Sequence, residues 1–181
     1  QAARTNSSFS IPLEDLMVVG GPSGEKMHIG FIRLSDLDAM HRAIGRRFFD
    51  SNIRYGLGQS ESVNRAIAKT LKAIVIDRSE HPNIFAFNHN GIALFSEEVE
   101  QNEGHCVLTS PRLLNGAQTV TTVRSFYDAN KDNPKLDQGK ALFESIRVLC
   151  KIITKADPKF VTQVTINNNR QNPVEPWNLR A

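Results

Sequence analysis

Three short polar segments carry most of the chemistry this sequence can offer. They are Asn88-His89-Asn90-Gly91, Asn115-Gly116-Ala117-Gln118-Thr119 and Asn167-Asn168-Asn169-Arg170-Gln171. An amide side chain donates and accepts at once, so clustered Asn and Gln can read the edge of a base or nucleotide. Arg54 or Arg170 would add a two-pronged contact to phosphate. In the middle segment, Leu113 and Leu114 run into Asn115-Gly116 and a polar–apolar pattern begins at Gln118. That order predicts a short strand, a tight turn and the start of a helix. Such a turn presents backbone N–H groups where a phosphate or other anion is readily held. The competing reading is structural, because Asn also favours turns and caps and satisfies loop backbone groups. Composition alone leaves the two readings level.

Other chemistries find less support. The sequence has no paired-histidine metal signature and no Gly-x-Ser-x-Gly, and the glycines of Gly20–Gly24 lack the Lys-Ser/Thr ending of a phosphate loop. Glu97, Glu98, Glu100 and Asp157 could hold Mg²⁺ as a nuclease would, although an acidic run more often marks a solvated strand end. No residue is assigned as a metal ligand and no other cofactor is expected. His89 is the one histidine inside a candidate segment, and stabilising its turn competes with acid–base work. Arg42, Arg46 and Arg47 fall toward the C-terminal end of a helix, where positive charge is favoured; a solvated face explains them, with phosphate or partner contact the alternative.

The elements that must position these residues follow from local patterns. Residues 1–10 read as a loose arm, and the apolar runs 16–19 and 27–32 as a hairpin. Ser35 is expected to cap a helix over 36–48. Apolar positions 63, 67, 71 and 74 predict an amphipathic helix. Ile84–Phe87 and Ile92–Phe95 read as two short strands around the Asn-rich turn. A strand is expected at 106–109, a helix from Gln118 to about Tyr127, and the best strand of the chain at 146–153. Asp157-Pro158 opens a last helix, with Pro158 at its first position. This order is α+β, a mixed sheet with flanking helices. Residues 1–47 form an N-terminal arm, hairpin and helix, and 48–181 a core domain.

The chain has 181 residues, 40% of them hydrophobic and 23% charged, enough to bury a core without staples. Cys106 and Cys150 stand far apart with no C-x-x-C spacing, which points to a reducing, cytoplasmic setting. No apolar run reaches membrane-spanning length, so no membrane contact is expected. A formal charge of +3 permits nucleic acid without requiring it. The first residue is Gln1, and the sequence reads as a piece of a longer protein.

Three motifs together resemble one family. Phe87-Asn88-His89-Asn90-Gly91-Ile92 is similar to its Asn-Asn-Gly-Ile segment, with His89 inserted or substituted in the turn. Leu114-Asn115-Gly116-Ala117-Gln118-Thr119 resembles its Val-Asn-Gly-x-Gln-Thr segment, and Asn168–Val174 followed by Leu179-Arg180-Ala181 its Thr-Asn-x-Gln-Asn-x-Val…Leu-Arg-Ala segment. This is the AIPR family, the abortive infection phage resistance proteins of bacteria. The resemblance covers about 48–181, with Asn52-Ile53-Arg54 and Val63–Ile67 falling in the expected order. A remoter resemblance is to the ParB/sulfiredoxin-type fold, whose Gly-x-Arg-Arg and Asn-x-x-x-Arg regions bind nucleotide phosphates. Here Gln118 and Thr119 stand in place of the two cations, which implies a weaker phosphate grip. The resemblance implies a phage-defence domain that binds a nucleotide or nucleic acid through its Asn/Gln-rich segments. A metal-dependent nuclease or nucleotide hydrolase and a protein-binding sensor are the alternatives. The expected site comprises Arg54, Asn88, His89, Asn90, Gly91, Asn115, Gly116, Gln118, Thr119, Asn167, Asn168, Arg170 and Gln171.

Overall fold

Alternation in the strands and 3.6-residue periodicity in the helices divide the side chains between two sheets and the helices that cover them. A computed structural model describes residues 7–13, 16–51 and 61–170; Arg54 and Gln171 lie outside this range, as does the side chain of Arg170. The order is β1 (Ser8–Pro12), β2 (Met17–Gly20), β3 (Lys26–Arg33), α1 (Leu34–Ile44), a 3-10 turn (Gly45–Phe49), α2 (Glu61–Leu71) and a π turn (Lys72–Ile76). Then come α3 (Ile84–Asn88), β4 (Ile92–Phe95), β5 (Glu98–Asn102), β6 (His105–Thr109), β7 (Arg112–Asn115) and α4 (Ala117–Asn130). The series ends with α5 (Pro134–Gln138), α6 (Lys140–Glu144), β8 (Arg147–Thr154) and α7 (Pro158–Arg170).

The larger sheet has the strand order β2-β3-β8-β4-β7, and the smaller the order β1-β6-β5. β8 pairs antiparallel with β3 along eight residues, from Lys26↔Thr154 to Arg33↔Arg147. On its other side it runs parallel to β4, so the sheet is mixed as the α+β reading expects. Val148, Cys150 and Ile152 alternate onto one face and join Ile32, Leu94 and Leu113 in the main core. Leu37 and Met40 of α1 and Val120 and Val123 of α4 close that face. The opposite face packs a smaller cluster, Ala93, Leu114, Ile153 and Val161, under α7. Among the described residues no helix is long and apolar enough to cross a membrane.

Several elements depart from the sequence reading. Ile84–Asn88 is one helical turn, not a strand. The Pro82-Asn83 turn winds the chain so that the N–H groups of Ile84, Phe85 and Ala86 reach the carbonyls of His81, Pro82 and Asn83. Ser8–Pro12 is a paired strand and not a loose arm, because β6 supplies its partner. α1 begins one residue before Ser35, and Arg33 is its N-cap without a side-chain cap bond. The Leu34 N–H instead donates to the Ile146 carbonyl at 3.0 Å. α4 extends to Asn130, and two short helices follow the polar stretch after it.

Candidate functional site

The two Asn-Gly-type turns meet at one end of β4. β7 ends at Asn115, and Gly116 turns the chain into α4 with φ +114°. A Cβ on Gly116 would lie 2.5 Å from Ile92 Cγ2, the first side chain of β4. Conformation and close approach therefore both require glycine here. Gly91 has φ +97°, and a Cβ there would stand 3.0 Å from the Leu149 carbonyl oxygen, so its backbone lies against β8.

His89 fastens the turns together. Its Nδ1 accepts the Gly91 N–H at 2.9 Å, which leaves the proton on Nε2. That Nε2–H then donates to Thr119 Oγ1 at 2.6 Å, in the first turn of α4. The ring stacks on Phe85, centroids 5.5 Å apart, and burial lowers its pKa below 6.5. Thr119 is itself only 3% exposed. His89 and Thr119 thus satisfy each other inside the protein, and their contact aligns the polar segments around them.

The third segment is joined through the sheet. Asn115 lies opposite Ala93, Ala93 beside Lys151, and Lys151 opposite Ile29, in one continuous row across four strands. A bulge between Ala93 and Leu94 turns Leu114 as well as Asn115 to the α7 side. α7 reaches this row at its C-terminal half, where Asn168 Oδ1 accepts from Lys151 Nζ at 3.2 Å. The helix is seated by Val161 with Phe160 and Val164, and its start is fixed by Asp157 Oδ1, which accepts the Phe160 N–H at 2.8 Å.

Not every expected residue shares this placement. Asn115 ends the row that holds Lys151, Asn168 contacts Lys151, and Gln118 is half-buried at the head of α4. Asn88 and Asn90 are exposed around the His89 turn. Asn167 is exposed and accepts from Gln163 Nε2 at 3.1 Å along its own helix. Glu98 and Glu100 are exposed in β5, within the smaller sheet, while Asp157 caps α7. Among the described residues no three His, Cys, Asp or Glu side chains are gathered to hold a metal ion. The sequence reading passed over Lys151, which sits among apolar residues in β8. Its signal is parity: with Leu149 and Ile153 it faces away from the main core, the only charge between them.

Among the described residues Lys151 has no acidic partner, only the Asn168 amide. A half-buried ammonium held by one amide, in the same sheet row as Asn115, offers an anion a charge and hydrogen bonds. A family model for AIPR proteins matches residues 49–181. Searches among curated proteins and solved structures returned no match.

Proposed function

The chain belongs to the AIPR family, which suggests an abortive-infection role in phage defence, and we propose that it serves that role by binding a nucleotide or nucleic acid. The ligand would sit where Asn115, Lys151 and Asn168 share one side of the sheet, with Gln118 at the adjoining turn. The observation that carries this reading is Lys151, a cation in mid-sheet whose partner is a neutral amide. It supplies the positive charge that the Gly116-Ala117-Gln118-Thr119 turn lacks, and so keeps the remote likeness to ParB/sulfiredoxin-type nucleotide sites within the proposal.

Calorimetric titration of the full chain with ribonucleotides and short DNA and RNA strands, with and without Mg²⁺, tests it. Saturable binding is expected. Gln118→Ala should weaken it by about 1–3 kcal/mol through loss of the amide, and Lys151→Gln by about 1.5–3 kcal/mol through loss of a charged hydrogen bond. Circular dichroism must show α4 intact in the Gln118 variant. Cleavage products that appear only with Mg²⁺ and vanish when Glu97, Glu98 or Asp157 is neutralised would favour the nuclease reading. No binding by a correctly folded chain would overturn the proposal in favour of a protein-recognition domain.

A further inference from the structure

α7 covers only part of its side of the five-stranded sheet. Beyond it, register places side chains in rows on the same face: Phe31 opposite Leu149, with Arg33 opposite Arg147 on one side and Ile29 opposite Lys151 on the other. Phe31 is 51% exposed and Leu149 40%. An aromatic and an aliphatic side chain thus lie open to solvent where β3 and β8 pair beyond the ends of β2 and β4, between two rows that carry cations.

The charge on this face is one-sided. The strands direct four cations to it, Arg33, Arg112, Arg147 and Lys151, and no acidic residue. Arg33 is paired with Asp36 at 2.9 Å and Arg112 with Asp50 at 3.6 Å. Arg147 and Lys151 have no acidic partner among the described residues, and they stand on either side of the Phe31–Leu149 row.

We propose that this open strip binds single-stranded nucleic acid, with bases against Phe31 and Leu149 and phosphates at Arg147 and Lys151. The proposal rests on the nucleotide reading of the neighbouring amide surface and extends it along the sheet through Lys151. Successive rows are about 7 Å apart, twice the rise of one strand residue, so the two cations are separated by about 13 Å with the apolar row between them. Unpaired bases stack on exposed aromatic rings whatever their sequence, while a duplex keeps its bases inside. An apolar protein surface is the poorer occupant, because it would bury Arg147 and Lys151 without counter-charge.

Fluorescence anisotropy with labelled oligouridylate, oligodeoxythymidylate and a duplex of the same length, titrated with the full chain at several salt concentrations, provides the test. Both single strands should bind more tightly than the duplex, and the difference between them reports whether the 2′-hydroxyl is read. Phe31→Ala should weaken strand binding about tenfold. Arg147→Gln should reduce the slope of log affinity against log salt by about 0.7, the loss of one phosphate contact on a single strand. Both side chains are exposed, so thermal melting should remain near wild type, and Phe31→Tyr should restore affinity. Mononucleotide binding should be unchanged in both variants. If mononucleotides bind but neither variant alters strand affinity or its salt slope, the strip is not the platform and only this inference falls. If neither mononucleotides nor strands bind, the amide-site reading falls with it. Sedimentation showing self-association that Phe31→Ala abolishes, without strand binding, would assign the strip to a protein partner and overturn the proposal.

Discussion

Under helices α1 and α4, Leu94, Leu113, Val148 and Ile152 are at most 1% exposed, whereas Phe31 and Leu149, on the other face of the same sheet, are 51% and 40% exposed. The closed face is mainly apolar, with His28, opposite Ile152, buried among its side chains. The carboxylate of Asp38, buried on α1, is held by Arg124 at 3.3 Å and Arg42 at 3.2 Å. The open face mixes Lys151 and Asn115 among apolar residues, with α7 packed over part of it. Fold stability therefore resides mainly on one side, which leaves the other free to carry polar groups that a tightly packed interior would exclude.

The comparison breaks most readily in the core. Leu94→Ala should cost about 2–5 kcal/mol in urea unfolding, while Leu149→Ala, on the open face of the β3–β8 ladder, should cost less than about 1 kcal/mol. Equal losses would mean that the open face is as tightly packed as the closed one. A smaller effect is expected where the two faces meet. Gly116→Ala forces a Cβ against Ile92 at a left-handed backbone position and should cost about 1–3 kcal/mol. Nucleotide affinity should fall with it, because the turn that presents Asn115 shifts.

The smallest effect should appear as pH dependence. Burial lowers the pKa of His89 from 6.5, and burial leads the same downward shift at His28 and His41. The unfolded chain takes up protons near pH 6.5 while the folded chain resists them. Stability from these residues is thus complete above that pH and declines as pH falls below it toward the folded pKa values. His89→Gln should lower stability at neutral pH yet flatten the acid side of a melting-temperature profile. An unchanged acid limb in that variant would assign the dependence to His28 and His41.

Much of this architecture was legible in local sequence. The alternation of 146–153 marked β8, and Asp157-Pro158 marked both the cap and the first residue of α7. The apolar run 84–87 misled because four residues fit a strand or a helical turn equally, and only the need to bring Phe85 inside and stack it on His89 decides. β1 was unreadable for a different reason: its partner β6 lies almost a hundred residues away. The candidate site was half legible. Asn115 and Asn168 stood out by type, but Lys151 joins them only through strand register, which no local pattern encodes. His89 and Thr119 looked like ligand-binding groups, and the fold joins them to each other.

The eight-residue ladder between β3 and β8 also fixes where this protein can be cut. The stretch matched by the family model begins at residue 49, yet one edge of β8 is paired from end to end with residues 26–33. A truncation to the matched stretch alone would strip that edge of its hydrogen-bond partners and uncover the core surface closed by Ile32, Leu37 and Met40. The same ladder sets a timetable for synthesis. β3 and β4 each leave the ribosome long before β8, and the five-stranded sheet cannot close between them until Arg147–Thr154 has been made. Until then the β2–β3 hairpin must wait with an unpaired edge, so the chain's exposure to aggregation is governed by how soon its eighth strand arrives.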